Sequence, residues 1–224
     1  MQIAGFEKNS LVDFPKTLAS VIFTPGCNMR CWYCHNEGIQ NNPDLTMESI
    51  LTFLKKRIGF IDGVVFSGGE ATLQPDLAEQ IKKVRELGFK IKLDTNGTNP
   101  DVLISLVNEG LLDYVAMDIK APLNKYKNIT RTDDNIENIK KSIAFLLKDT
   151  VDYEFRTTMS PDLFVDDIKE IAQTIKGAKR YSIQQYRQMC YNRKLEQKPH
   201  EPQYLRLAKE VAEPFIKEVL IKGI

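Results

Sequence analysis

Short apolar runs alternate with amphipathic stretches along most of the chain. Six runs are rich in β-branched or other apolar residues and predict strands, at residues 20–24, 63–66, 90–93, 113–117, 153–157 and 181–184. Between them, apolar residues recur at the spacing of one helix face, at residues 46–57, 75–87, 100–108, 135–147 and 165–175. This alternation predicts an α/β fold with a parallel sheet.

Single residues mark several helix ends. Thr46 is a predicted N-cap, and Gly88 and Gly110 stand where helices are expected to stop. Residues 203–221 predict a terminal helix, which Pro214 bends or interrupts.

The chain predicts one domain, because it contains no internal repeat, low-complexity tract or Gly/Ser linker. We divide this single domain, residues 1–224, into an N-terminal lead over 1–18, a βα core over 19–186, and a C-terminal tail with a helix over 187–224.

Composition and charge exclude several classes of protein. The 224 residues are 42% hydrophobic and 27% charged, which is the profile of a globular protein. Lys and Arg (31) nearly balance Asp and Glu (30), so no global field attracts nucleic acid or an anionic membrane. The absence of a long apolar run excludes a transmembrane helix, and the charged start argues against a secretory signal. A cytoplasmic protein is therefore expected.

Polar residues or glycines follow each predicted strand. These segments lie at residues 24–27, 67–70, 94–97, 118–120, 156–158 and 184–185. In parallel α/β folds the active site lies at the carboxyl edge of the sheet, where strand ends converge. The sequence therefore predicts a functional site made of these segments.

Three of the four cysteines, Cys27, Cys31 and Cys34, cluster directly after the first predicted strand, whereas Cys190 stands alone. This spacing does not suit a disulfide framework and indicates metal or redox chemistry. An iron–sulfur cluster held by three thiolates would keep one iron open to a ligand. In that interpretation Cys190 is an alternative, distant fourth ligand.

Two other metal groups compete for the same residues. Structural zinc would take His35 as its fourth ligand, but nine consecutive residues would then have to close a tetrahedral site. Residues 31–35 match the C-x-x-C-H pattern of covalent haem attachment. Such attachment normally follows export of the protein, for which the sequence shows no signal, and it would leave Cys27 without a role.

The C-x-x-x-C-x-x-C spacing, with Tyr33 before its last cysteine, resembles the radical S-adenosylmethionine (SAM) superfamily. Residues 67–70, Ser-Gly-Gly-Glu, resemble the Gly-Gly-Glu element of that superfamily. Residues 10–15, 23–28 and 34–36 extend the resemblance to glycyl-radical activating enzymes, most closely to activating proteins of the anaerobic ribonucleoside-triphosphate reductase. The resemblance covers residues 3–186 and is strongest in 3–97.

The resemblance implies the cofactors and their residues. Cys27, Cys31 and Cys34 would hold a [4Fe–4S] cluster, and SAM would fill the vacant coordination site of its open iron. The residues expected to bind SAM are Tyr33, Ser67, Gly68, Gly69, Glu70, Asp94, Asn96, Asp118, Lys120 and Arg156.

Each SAM group has an expected partner. The Gly68–Gly69 carbonyls and Asp94 suit the ammonium, and Asp118 suits the ribose hydroxyls. Lys120 or Arg156 suits the carboxylate, and Tyr33 would lie near adenine.

Structural alternatives remain open for three of these residues. Glu70 could complement a helix dipole, Asp94 could belong to turn chemistry, and Arg156 could form a structural ion pair.

The resemblance also implies a reaction and its partners. Flavodoxin or ferredoxin would donate an electron, SAM would be cleaved reductively, and hydrogen would be removed from a glycine of a partner enzyme, expected to be anaerobic ribonucleoside-triphosphate reductase. A partial (β/α)6 barrel of TIM type, open on one side, is expected because a protein segment must enter the site laterally.

Two rival functions remain. One is a radical SAM enzyme with a small-molecule substrate, similar to 7-carboxy-7-deazaguanine synthase. The other is a non-enzymatic iron–sulfur or zinc protein, which would leave residues 67–70 without a task.

Overall fold

An eight-stranded sheet forms the centre of the computed structural model, which describes residues 1–36, 39, 42, 44–133, 136–190 and 193–224. The strands of this sheet are β1 Gly5–Ser10, β2 Ala19–Thr24, β3 Gly63–Gly68, β4 Lys90–Thr95, β5 Tyr114–Asp118, β6 Asp152–Met159, β7 Arg180–Gln185 and β10 Glu218–Lys222. A separate antiparallel hairpin consists of β8 Met189–Cys190 and β9 Arg193–Lys194.

Helices connect most of the strands. In the described ranges they are α1 Met47–Lys55, α2 Leu77–Arg85, α3 Pro100–Asn108, α4 Tyr126–Thr130, α5 Ile136–Leu146, α6 Val165–Thr174 and α7 Pro202–Ala212, with short 3-10 helices at Ala71–Leu73 and Leu123–Lys125. Within these ranges, no helix combines the length and the apolar character that crossing a membrane requires.

The sheet is almost entirely parallel. Its strand order is β1-β2-β3-β4-β5-β6-β7-β10, and only the pair of β1 with β2 is antiparallel. Because β1 and β10 lie at opposite edges, the sheet is not closed into a barrel. The predicted α/β architecture with an open side is confirmed, but the predicted count of six strands is wrong, since β1 and β10 extend the sheet to eight.

The C-terminal end differs from its prediction. Helix α7 ends at Ala212, and residues 218–221, predicted as part of that helix, form β10 together with Lys222. Pro214 cannot continue a helix, because its ring removes a donor and clashes with the preceding turn. Beyond it, β10 pairs in parallel with the exposed edge of β7 and buries Val219 opposite Tyr181.

The N-terminal lead also forms part of the sheet. Residues 5–10, predicted only as a lead, pair with β2 as the antiparallel edge strand β1. Phe6 of this strand packs edge-to-face on Phe53 of α1, with 5.3 Å between ring centroids. The lead is therefore anchored to both the sheet and a helix.

The helical predictions agree with the structure within one or two residues at most ends. Thr46 caps α1, because its side chain accepts a hydrogen bond from the Ser49 backbone at 3.1 Å. Gly88 and Gly110 have positive φ values of 89° and 67°, as expected after helices. Asn135, the first residue of one predicted helical stretch, lies outside the described residues.

Strand alternation gives the sheet two different faces. One face, with Ile22, Phe66 and Leu93, packs on the helices and forms the main core. The opposite, inner face carries a smaller apolar cluster made of Phe14, Ala19, Val21, Val65, Tyr114 and Ala116. On β4 and β6 the same inner face carries the buried charged residues Lys92 and Glu154.

Candidate active site at the carboxyl edge of the sheet

Polar groups from five neighbouring parallel strands meet at one edge of the sheet. The cysteine loop follows β2, and Gly68–Gly69 ends β3. Asp94 lies one residue before the end of β4, and Asp118 ends β5. Arg156, predicted to follow a strand, lies within β6 in register with Asp118, because β6 continues to Met159. The convergence predicted from the strand ends is therefore present in the structure.

The three cysteines of this loop differ in exposure. Cys27 is exposed, Cys34 is half-buried and Cys31 is buried. The Cys34 backbone N–H donates to the Cys31 carbonyl at 3.0 Å, which folds the loop back on itself. Burial raises the pKa of the Cys31 thiol to about 11, and the nearby charge of Lys120 opposes this rise. A buried thiolate is unfavourable because its charge is removed from water. A metal that binds the deprotonated sulfur of Cys31 would offset that free-energy cost.

An aromatic contact ties the cysteine loop to the other end of the parallel sheet. Trp32 packs against Tyr33, with 5.5 Å between centroids, and against Tyr186, with 5.7 Å. Tyr186 directly follows β7, so Trp32 reaches from the loop after β2 to the end of β7. Tyr33, predicted to lie near adenine, is buried against this cluster.

Gly68 and Gly69 bring the end of β3 against the residues that precede Cys27. A Cβ atom on Gly69 would lie 1.8 Å from the carbonyl oxygen of Gly26. The Gly69 N–H donates to the Thr24 carbonyl at 2.8 Å, and the Gly68 carbonyl accepts from Asn36 Nδ2 at 2.6 Å. These glycines therefore let two backbone segments meet.

Asp94 lies at the centre of a row of charges. It accepts a hydrogen bond from Ser67 Oγ at 3.0 Å and forms ion pairs with Lys92 and with Arg156, the latter at 3.4 Å. Burial alone would raise the pKa of Asp94, but the charges of Arg156 and Lys92 outweigh it and lower this pKa. Asp94 is therefore ionised at neutral pH.

Asp118 continues the row on the next strand. Its two oxygens pair with Lys120 Nζ and Arg156 Nε, each at 2.8 Å. Burial alone would raise the pKa of Asp118, but Arg156 and Lys120 hold it well below its usual range. In turn, Asp118 holds the pKa of Lys120 well above its ordinary value, against the effect of burial. Arg156 thus forms the ion pairs that were considered as its structural alternative, and both of its partners are other predicted site residues.

Glu70 is 1% exposed and makes its hydrogen bonds outside this row of charges. Its carboxylate accepts hydrogen bonds from Thr72, from Thr95 Oγ1 at 2.7 Å and from the Asn96 backbone N–H at 2.6 Å. It also caps the 3-10 helix Ala71–Leu73. Glu70 thus joins the end of β3 to the loop after β4.

Sequence reasoning missed a second group of charges on the inner face. Glu154 is buried and accepts from Ser182 Oγ at 2.6 Å and from Lys222 Nζ at 2.8 Å. Lys92 is buried beside Asp94. The alternation of residues 90–94 could have placed Lys92 and Asp94 on one face, but Lys222 lies just beyond the predicted terminal helix and was assigned to no strand.

The donor set fits an iron–sulfur cluster better than a single ion. Within the described ranges, no three His, Cys, Asp or Glu side chains surround a common point in the way that one ion needs. In a [4Fe–4S] cluster each thiolate binds a different iron, so three thiols spread along one loop suit it. Cys27, Cys31 and Cys34 are thus candidate ligands. The side chain of Cys190, the alternative fourth ligand, lies outside the described part of the chain.

Comparisons with known proteins identify the family of this chain. The family model of the radical SAM superfamily matches residues 21–175. A putative glycyl-radical enzyme activating enzyme of Methanocaldococcus jannaschii is 37% identical, over 99% of this chain and 96% of that protein. The pyruvate formate-lyase-activating enzyme of Clostridium pasteurianum is 35% identical, over 53% of this chain and 52% of that protein.

A solved structure supports the fold. The crystal structure of Streptococcus suis SuiB bound to SAM superposes with a TM-score of 0.70 at 13% sequence identity and covers 88% of this chain. The chain spans about half of that protein, 48% of its length. The superfamily uses a [4Fe–4S] cluster together with SAM. The chain belongs to the radical SAM superfamily and, within it, to the family of glycyl-radical enzyme activating enzymes.

Proposed function

We propose that this enzyme uses SAM and a [4Fe–4S] cluster to generate a glycyl radical on a partner enzyme, and that the partner is anaerobic ribonucleoside-triphosphate reductase. The observation that carries the proposal is the placement of three cysteines beside a row of alternating charges, at the carboxyl edge of the sheet. The match over 99% of the chain to a putative activating enzyme supports the same activity. The motifs at residues 10–15 and 34–36 support the reductase as the partner.

In this proposal Cys27, Cys31 and Cys34 hold the cluster, and their number keeps one iron open to SAM. When bound, the two cofactors supply the one-electron chemistry that removes a hydrogen atom from a glycine of the partner. Burial raises the pKa values of Cys27 and Cys31, and the positive charge of Lys120 opposes this rise and so favours the thiolate forms.

The row of charges suits the zwitterionic end of SAM. An ammonium and a carboxylate that enter together add no net charge to the row. Asp94 can exchange a cationic partner for the ammonium, while Lys120 or Arg156 accepts the carboxylate. Asp118 lies beside both cations and remains the acceptor for the ribose hydroxyls. Ser67 orients Asp94 through its hydrogen bond of 3.0 Å.

The open sheet gives the partner a route of entry. Because β1 and β10 do not pair, a segment of the partner can approach from the side. Flavodoxin or ferredoxin is the proposed electron donor. It must reach the carboxyl edge of the sheet, where Cys27 is exposed.

The partner is tested by electron paramagnetic resonance (EPR). The reduced protein with its cluster and SAM is mixed anaerobically with the anaerobic ribonucleoside-triphosphate reductase of the same organism. We expect the signal of a glycyl radical on the reductase, and none with the Cys31→Ala variant or with a reductase whose radical glycine is replaced by alanine. Cleavage of SAM without a radical on the reductase would show that this partner is wrong.

A further inference from the structure

The loop after β4 holds the side-chain amide of Asn96 against the sulfur of Cys27. Asn96 Nδ2 lies 3.9 Å from Cys27 Sγ and 2.8 Å from Asn28 Oδ1. The backbone N–H of Met29 donates to the same sulfur at 3.4 Å. Cys27 Sγ therefore accepts hydrogen bonds from two N–H groups, one in its own loop and one in the loop after β4.

The orientation of the Asn96 amide is fixed by chemistry. Asn96 Oδ1 accepts from the Thr98 backbone N–H at 3.0 Å and from Thr98 Oγ1 at 2.7 Å. A backbone N–H can only donate, so the atom that faces it must be the oxygen, and the NH2 group must face Cys27. Asn28 Nδ2 donates to Thr98 Oγ1 at 2.8 Å and closes a ring of three side chains.

Buried Glu70 fixes the backbone that carries this amide. Its Oε2 accepts from the Asn96 N–H at 2.6 Å, and its Oε1 accepts from Thr95 Oγ1 at 2.7 Å. Ser142 Oγ also donates to the Gly97 carbonyl at 2.7 Å from the neighbouring α5. Because these hydrogen bonds already hold Asn96 and its loop, the side chain loses little further conformational entropy when its amide donates to the sulfur.

We infer that Asn96 is a positioning residue for the cluster: its amide donates an N–H···S hydrogen bond to the Cys27 thiolate and raises the reduction potential of the cluster. Glu70 then serves this hydrogen bond by holding the loop, rather than by contacting SAM. The inference rests on the proposed function, since it requires Cys27 to be a cluster ligand. Reduction adds negative charge to the cluster, so an N–H group directed at its sulfur stabilises the reduced form more than the oxidised form.

The test is a redox titration, monitored by EPR, of the anaerobically reconstituted protein without SAM. At the potential where half of the wild-type clusters are reduced, we expect Asn96→Ala to lower the ratio of reduced to oxidised cluster about tenfold, which is ~59 mV for one electron. The isosteric Asn96→Asp keeps the shape of the side chain and turns an oxygen toward the sulfur. We expect it to shift the potential further in the same direction.

Thr98→Val is the matched control in the same loop. It removes the hydroxyl but keeps the Thr98 backbone N–H that orients the amide. We expect its potential to shift much less than that of Asn96→Ala, because the backbone N–H still orients the amide although the hydroxyl bond to Asn96 Oδ1 is lost. Equal shifts in Thr98→Val and Asn96→Ala, or no shift in either Asn96 variant, would overturn the inference while leaving the proposed function intact. A wild-type protein whose iron and sulfide content shows no [4Fe–4S] cluster would overturn the proposed function itself.

Discussion

Replacing Arg156 with methionine is expected to lower the free energy of unfolding by about 3–5 kcal/mol, because it leaves two partly buried carboxylates without their shared cation. Arg156 Nε pairs with Asp118 at 2.8 Å, and its Nη1 lies 3.4 Å from Asp94. Asp94 keeps Lys92 and Asp118 keeps Lys120, but these carboxylates are only 13% and 26% exposed, so water replaces the lost charge only in part. Urea unfolding of the two proteins at neutral pH measures the difference.

The difference in the free energy of unfolding between wild type and Arg156→Met should depend on pH. Arg156 lowers the pKa values of Asp94 and Asp118 in the folded protein. A carboxylate with a lowered pKa contributes stability above its unfolded pKa, about 3.9, and this stability is lost as the pH falls toward the folded value. The gap between wild type and Arg156→Met should therefore narrow below about pH 4.

Arg180→Met is the control for this substitution. Arg180 pairs with Glu218, which is 51% exposed, near the amino end of β7. We expect a loss of about 1–2 kcal/mol there, since water screens the ion pair and the substitution also removes a hydrogen bond to the Tyr114 hydroxyl. Equal losses in the two variants would mean that Arg156 does not hold a buried charge network.

Replacing Gly69 with alanine is expected to destabilise the protein by more than about 4 kcal/mol, or to prevent folding. The new Cβ would lie 1.8 Å from the Gly26 carbonyl oxygen and 2.5 Å from its carbon. Both are backbone atoms, and the same carbonyl accepts the Glu70 N–H at 2.8 Å. Relief of the clash must therefore move the segment that leads into Cys27, so cluster content should fall together with stability.

Gly110→Ala separates this clash from the general effect of replacing a glycine. Gly110 has a φ of 67°, but a Cβ there meets no atom within 4 Å. We expect a loss of about 1–2 kcal/mol from the left-handed conformation alone. If Gly69→Ala is no less stable than Gly110→Ala and takes up the same amount of iron, the close approach of the two backbones is not essential.

The architecture was largely predictable from local patterns. The six predicted strands match β2 to β7 because each is a short apolar run bounded by polar or Gly residues. The cysteine loop and residues 67–70 lie on the same edge because consecutive parallel strands end there. Asp94 and Asp118 likewise lie there because each ends an otherwise apolar run.

Tertiary pairing decided what the sequence could not predict. Residues 218–222 contain the short apolar run Val219–Ile221, which suits a strand or a buried helix segment, and they become β10 by pairing with the free edge of β7. Glu70 follows two glycines at a strand end, a position that suits a ligand contact as well as a structural one. Only the structure shows that Thr72, Thr95 and Asn96 surround its carboxylate. The bond from Asn96 to Cys27 joins residues 69 positions apart, so no local pattern predicts it.

The most direct test of the central claim is EPR of the anaerobically reconstituted, dithionite-reduced protein with and without SAM, with 5′-deoxyadenosine assayed in the same sample. We expect a reduced [4Fe–4S] signal that changes when SAM is added, together with formation of 5′-deoxyadenosine, and the loss of both in Cys31→Ala. Two results would contradict the account. One is zinc bound in stoichiometric amount to the protein, and the other is a cluster whose EPR signal does not change when SAM is added and which yields no 5′-deoxyadenosine.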